Sequence, residues 1–265
     1  VNIAYLILAH HQPPHLGRLI RALDAAGAHF FVHVDLKADT SPFARAMPAL
    51  AHLHLLRGSS RVAVSWGGYS MVQATLNLLH TAVTAGVSFT RYCLLSGSDF
   101  PIKPNAHIRD VLSTPIEFLR VDRRLSYTQD DPHSRRVRYF HLYDHHLFNP
   151  TRTPFPRLRS ALEHILDRVP RRPYPSLPLY QGAQWWALTD ACVRHVLTFV
   201  AAHRDYVAFH RFTGIPDETF FHSIVKHSPF AGRISHDIDL VASADEYFAS
   251  NEHGCHYINW KGVKD

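Results

Sequence analysis

The chain reads as an α/β protein with a mostly parallel central sheet flanked by helices, and three observations predict this. A strand-like run, Ile3 to Ala9, is followed by an amphipathic stripe, Leu16, Leu19, Ile20 and Leu23, and then by a second strand-like run, His29 to Val34. Strand, helix and strand in so short a span form a βαβ unit, whose crossover makes the two strands parallel. A further apolar run, Tyr92 to Leu95, empties at once into Ser96-Gly97-Ser98-Asp99, the profile of a central strand ending in a polar loop. The length of 265 residues, with 46% hydrophobic content, supplies a sizeable core.

Taken in order, Ile3 to Ala9 is short and has no basic leader, so it reads as a first strand and not as a signal peptide. The second strand runs into Asp35-Leu36-Lys37. An acid at that place either hydrogen-bonds a ribose or base, or serves as a turn aspartate or helix cap. Neither a GxGxxG nor a GxxxxGK[ST] motif is present. Pro42 to Leu50 predicts a helix, and Leu53 and Leu55, alternating with histidines, predict a half-buried strand. Gly67 and Gly68 beside Trp66 allow a close backbone approach, and Ser70 is placed to cap a helix over Met71 to Ala85.

The polar loop after Leu95 is stiffened by Pro101 and Pro104, and it is either an ordinary strand-to-loop junction or a ligand loop at a strand end. A short helix over Ile108 to Leu112 and a strand from Ile116 to Val121 follow. From Asp122 to Tyr180 alternation gives way to arginine, aromatic residues and proline, with only Leu158 to Leu166 suggesting a helix. Such a stretch is a binding lobe or a tolerant surface excursion. Gln184 to Leu188, carrying Trp185 and Trp186, predicts a strand, and Val193, Val196, Leu197 and Val200 predict a helix.

In Gly214 to Phe221, Pro216 suits a first helical turn and Phe220, Phe221, Ile224 and Val225 supply the buried face beyond it. Two carboxylates, Asp217 and Glu218, then stand at a helix N-terminus, where the helix dipole favours an ionised Glu218 able to accept a proton. The same position suits capping residues, the role that fits Asp217.

Lys and Arg outnumber Asp and Glu by 28 to 22, which favours anionic ligands such as phosphates. The charge is scattered, with short clusters at Arg135-Arg136-Val137-Arg138 and Arg168 to Arg172, so no nucleic-acid partner is expected. Cys93, Cys192 and Cys255 form neither a disulfide framework nor a zinc pattern, and point to a reducing compartment. Val1 points to a removed methionine or a longer leader, which leaves an upstream anchor open.

Six segments, IAYLILAHHQPPHLGRLIRAL, FFVHVDLKAD, VSWGGYSMVQATLNLL, YCLLSGSDFPIKP, GAQWWALT and IPDETFF, together resemble the core-2/I-branching β-1,6-N-acetylglucosaminyltransferases and the related peptide O-xylosyltransferases. The match runs from residue 3 to about 222, with no convincing counterpart for 122–180. The resemblance implies one GT-A-like, Rossmann-like domain over 1–265, with a nucleotide-sugar-binding half (1–115) and an acceptor-binding and catalytic half (116–265). It implies inverting transfer of GlcNAc or xylose from UDP-GlcNAc or UDP-xylose to a hydroxyl of a glycan or lipid-linked glycan, without cofactor or divalent metal. Where a metal-binding Asp-x-Asp is expected the chain reads Ser96-Gly97-Ser98-Asp99.

Carried over residue by residue, the resemblance makes Glu218 the catalytic base and places His33 and Asp35 at the uridine. His10 and Trp66 fall on the donor side, and Ser98 and Asp99 border the donor sugar and diphosphate. Gln184 and Trp185 line the sugar cleft, with Asp217 on the acceptor side, where Arg136 of the unmatched segment is also expected. His256 stands where the N-acetylglucosaminyl branch has an arginine. The family's later basic cluster falls beyond Asp265, so either the chain is cut short or Lys261 and Lys264 substitute.

Two other classes compete. His10-His11, His33-x-Asp35 and Asp144-His145-His146 suggest a metal-dependent carbohydrate hydrolase or deacetylase, though no closed ligand set such as HExxH accompanies them. A non-catalytic glycan- or nucleotide-binding protein of the same fold fits the departing C-terminal cations but not the intact Glu218. The cysteine usage points to a bacterial-type cytoplasmic enzyme of polysaccharide synthesis, with peripheral contact at an inner membrane face suggested by the basic balance.

Overall fold

The centre of the sheet is β1 (Ile3–Ala9), paired in parallel with β2 (Ala28–Val34) on one side and β4 (Arg91–Ser96) on the other, while β3 (Leu53–Leu55) extends it beyond β2. The computed structural model describes residues 1–151, 153–174, 176–241, 247 and 252–258. Successive side chains of a strand point to opposite faces. Ile3, Tyr5 and Ile7 of β1 accordingly pack with Leu16, Leu19 and Ile20 of α1 (Pro13–Leu23), and Ala4 and Leu6 with Val72, Leu76 and Leu79 of α3 (Tyr69–Val83). Helices therefore cover both faces, as the βαβ pattern predicts. α2 (Ser41–Ala46) and α4 (Asn105–Leu112) complete this half.

The sheet continues into the second half of the chain. β7 (Ala187–Thr189) pairs antiparallel with both β4 and β5 (Glu117–Arg124), β6 (Tyr180–Gly182) pairs antiparallel with β5, and β8 (Ile234–Asp237) runs parallel to β5. Around them lie α5 (Arg135–Arg138), α6 (Pro156–Leu166), α7 (Asp190–Ala202), α8 (Arg204–His210), α9 (Phe220–Lys226) and a hairpin, β9 (Glu252–His253) with β10 (His256–Tyr257). The buried Arg91 guanidinium joins the halves, donating to the carbonyls of Leu112 (3.0 Å), Ile116 (2.6 Å) and Ala187 (2.9 Å).

Four local expectations are corrected. The helix expected to reach Leu50 stops at Ala46, because Pro48 drives Met47 into an extended conformation at ψ 145°. Ser70 lies inside α3 and Gly68 holds the cap position. The N-terminal donors are met from afar: the Ser70 N–H donates to Asp144 Oδ2 at 3.1 Å and its hydroxyl to Oδ1 at 2.5 Å. A Cβ on Gly68 would sit 2.1 Å from Asp144 Oδ1, which is why glycine is required there.

The strand expected over Gln184 to Leu188 is interrupted at 183–186, where the Ala183 carbonyl accepts from His222 Nε2 (2.8 Å) instead of a neighbouring strand. Finally, Asp217 and Glu218 lie in a 3-10 turn, Pro216–Glu218, that Thr219 (φ −128°) separates from α9, and Asp217 caps neither helix.

Candidate functional site

The carboxyl ends of β1 and β2 open into a cleft of about 270 Å³, the place where open α/β sheets bind ligands. His10, His33, Asp35 and Trp66 line it, with Val64, Met71 and Thr151. Asp35 makes an Asx turn, its Oδ1 accepting from the Lys37 N–H at 2.9 Å, its Oδ2 pairs with Lys37 Nζ at 3.3 Å, and the residue lines the cleft. Behind it Arg61 clamps the turn through the carbonyls of Val34 (2.9 Å) and Asp35 (2.8 Å). His33 is buried and its Nε2 accepts from the Val62 N–H at 2.8 Å, so the ring proton sits on Nδ1. Burial pushes its pKa down to about 4, and it stays neutral. Trp66, 54% exposed, forms the outer wall.

The loop after β4 adjoins this cleft. His10 lies against His11 (ring centroids 4.2 Å apart), and His11 Nε2 reaches Ser98 Oγ at 3.4 Å. Asp99 folds back on its strand: Oδ2 accepts from the Ser96 N–H at 2.9 Å, and its carbonyl faces His15 Nε2 at 3.0 Å. The same carboxylate pairs with His256 Nε2 at 3.6 Å, and the His256 ring lies 5.9 Å from that of Trp185. Burial works against the imidazolium, but Asp99 and the Cys255 sulfur outweigh it and raise the pKa of His256 to about 9. The His256 imidazolium therefore stands beside Asp99 at neutral pH.

The third group is built on the turn before α9. Ile215 has φ 50° and ψ 56°, a left-handed conformation that costs a β-branched residue strain, and its N–H donates to the Gly67 carbonyl at 2.8 Å. Gly67 itself has φ +73°. This bond ties the turn to the Trp66 wall of the cleft. Glu218 Oε2 accepts from Arg136 Nη1 at 2.5 Å and from Gln181 Nε2 at 3.0 Å, and Oε1 takes no bond from a described residue. Asp217 is buried, with Oδ1 unpaired among the described residues. Burial first, and then the neighbouring Glu218, push its carboxyl up to about 7.

The fold thus gathers most of the residues singled out from sequence into three adjoining groups: His10, His33, Asp35 and Trp66; Ser98, Asp99, Trp185 and His256; Arg136, Asp217 and Glu218. Gln184 is half-buried in the strand break beside Trp185 and makes no hydrogen bond to a described residue. Lys261 and Lys264 lie outside the described residues. Sequence reasoning did not single out Gln181 and His15, which lie beside these groups. The first sits in a strand of three residues, too short for a period to show, whereas His15 lies one turn into α1 and its spacing from the His10-His11 pair was a usable signal.

Among the described residues no group of three His, Cys, Asp or Glu side chains is arranged to hold a metal ion, and Asp144 of the Asp-His-His run is committed to α3. Nor is any described helix long and apolar enough to cross a membrane.

Residues 3–264 match the family model described as Core-2/I-Branching enzyme. Among curated relatives, a beta-1,3-galactosyl-O-glycosyl-glycoprotein beta-1,6-N-acetylglucosaminyltransferase of bovine herpesvirus 4 (strain V. test) is 27% identical over 197 residues, 74% of this chain and 40% of its own length. The enzyme numbered 4 of that name from Mus musculus is 25% identical over 235 residues, 88% of this chain and 49% of its own. Xylosyltransferase 2 of Rattus norvegicus is 23% identical over 278 aligned positions, 99% of this chain and 29% of its own. The chain thus spans less than half the length of each of these relatives.

Proposed function

The chain belongs to the Core-2/I-Branching enzyme family, a GT-A-like fold, and on that premise we propose that it is an inverting glycosyltransferase acting on a glycan hydroxyl with Glu218 as general base. One observation carries this reading: Glu218 is held through Oε2 by Arg136 and Gln181, with Oε1 unengaged, on a turn bonded to the wall of a cleft at the strand ends. A carboxylate oriented on one oxygen and open on the other can accept a proton from a hydroxyl brought within hydrogen-bond reach.

In the proposed reaction an α-linked UDP-GlcNAc or UDP-xylose lies in the cleft, with uridine beside His33 and Asp35 and the diphosphate toward Ser98, Asp99 and His256. The acceptor oxygen attacks the anomeric carbon from the opposite face as Glu218 takes its proton. The bond to the β-phosphate oxygen breaks, UDP leaves with the electron pair, and a β-linkage results. Charge growing on UDP needs a counter-charge. The His256 imidazolium supplies one without a divalent ion, and Gln184, Trp185, Arg136 and Asp217 border the sugar and acceptor.

Calorimetry with UDP-GlcNAc and UDP-xylose, with EDTA present throughout, tests the donor half of the proposal. Binding of one donor in EDTA is expected. Binding that appears only on adding a divalent cation would overturn the metal-free mechanism, and absence of binding in both conditions would overturn the donor site.

A further inference from the structure

The lobe from 122 to 180 carries a surface that the proposed reaction does not use. Phe155, Leu158, Ile165 and Val169, at and beside α6, are each more than half exposed, and α6 has no buried residue at all. At helical spacing Leu158 and Ile165 fall on one ridge, with Phe155 and Val169 at its two ends. An adjacent ridge carries Arg157, His164 and Arg168, all exposed, and the exposed Arg172 follows. The two acids of the segment lean away from this face: Glu163 pairs with Arg159 of its own helix at 3.3 Å, and Asp167 with Arg135 of α5 at 2.6 Å. Glu163 and Leu166 line a small pocket against Phe140, Tyr143 and Phe148, which fixes the inward side of α6.

An apolar ridge beside a basic ridge, with the acids neutralised inward, is the chemistry of a helix that lies in the plane of an anionic bilayer. A protein partner covering the apolar ridge alone would not require the arginine row. We infer that α6 and its flanks form a membrane-surface docking site, with the apolar ridge entering the headgroup–acyl boundary and Arg157, Arg168 and Arg172 facing anionic lipid phosphates. Thr151, four residues before Phe155, lines the cleft.

The test is flotation of the full chain with vesicles of phosphatidylcholine alone and of phosphatidylcholine with phosphatidylglycerol. Binding to the anionic vesicles is expected, weakened by salt. Leu158→Ser with Ile165→Ser should reduce it about tenfold or more. Arg157→Gln with Arg168→Gln should reduce it about thirtyfold and remove most of the preference for phosphatidylglycerol. Ile102→Ser, an exposed apolar residue elsewhere, should leave it unchanged. All four positions are exposed, so unfolding temperatures should stay near wild type, and if the serine variant unfolds the arginine variant decides. Failure to bind anionic vesicles, or binding indifferent to the α6 substitutions, overturns the inference. So does a loss of self-association in the serine variant without change in flotation, which would make α6 a contact between copies of the chain.

Discussion

The parallel half of the sheet and the stretch from Asp122 to Leu179 deliver residues to the same site by opposite means. β1, β2 and β4 place His10, Asp35 and Asp99 just past their ends, and the ladder itself continues into the loops: Asp35 N–H donates to the Ala9 carbonyl at 2.9 Å and Gly97 N–H to that of Leu8 at 2.8 Å. Past the end of β5 the described residues of the later stretch form α5 and α6; scattered backbone bonds, such as His141 N–H to the Phe212 carbonyl at 2.9 Å, anchor it, and it reaches the site through single side-chain bonds to distant partners. Arg136 reaches Glu218, Asp144 caps α3, and Asn149 Nδ2 donates to the Trp66 carbonyl at 3.3 Å. A ladder is redundant and a lone side-chain bond is not. Substitutions in the lobe should therefore disturb the site while leaving the sheet folded.

Arg136→Ala breaks this comparison most strongly. Charged hydrogen bonds are worth roughly 1.5–3 kcal/mol, so UDP release at saturating donor should fall about ten- to a hundredfold, with Arg136→Lys recovering part of it. Donor affinity, which the proposed donor site sets at the strand ends, should hold. If affinity falls and turnover does not, Arg136 belongs to the donor side.

Gly68→Ala acts on the joint between the two regions. Its Cβ would meet the Asp144 carboxylate at 2.1 Å, so the substitution should cost about 1–3 kcal/mol and lower the unfolding temperature by a few degrees. Asp144→Ala removes the same cap without the clash and should cost about 1 kcal/mol. Equal stability of Gly68→Ala and wild type would mean that the lobe does not bear on α3.

A smaller effect sharpens the comparison through pH. His256 titrates near 9 in the fold and near 6.5 when unfolded, so the stability from its ion pair with Asp99 is full below about 6.5 and lost as pH rises through about 9. UDP affinity should be steady from about pH 7 to 8 and weaken above about 9, and His256→Gln should flatten the profile. A profile for His256→Gln that keeps the wild-type fall would assign the cation elsewhere.

Much of the first region was legible in the sequence because its strands are packed on both faces and end abruptly in polar residues. Even there Pro48 marked the end of α2, a signal the apolar pattern of Phe43 to Leu50 overrode. The second half of the chain was legible in β5, α6, α7 and the apolar face of α9. α8 and β8 went unread, and the strand break at 183–186 depends on His222, thirty-nine residues further on. The cap of α3 comes from seventy-four residues away, a contact no local pattern encodes. For the candidate site, strand ends drew attention to Asp35, Ser98 and Asp99, whereas Glu218 stood out through its position before an apolar helix together with the family resemblance. Its partner Gln181 did not stand out, because a lone glutamine in three strand residues carries no chemical pattern.

The central claim is that Glu218, fixed by Arg136 and Gln181, removes the acceptor proton. It is tested most directly by UDP release from the donor that binds, comparing wild type with Glu218→Gln in EDTA, alongside calorimetry of the same donor. The account predicts that release falls about 10²- to 10⁴-fold while the donor dissociation constant stays within about threefold. Release at the wild-type rate, or donor binding lost together with release, would contradict it.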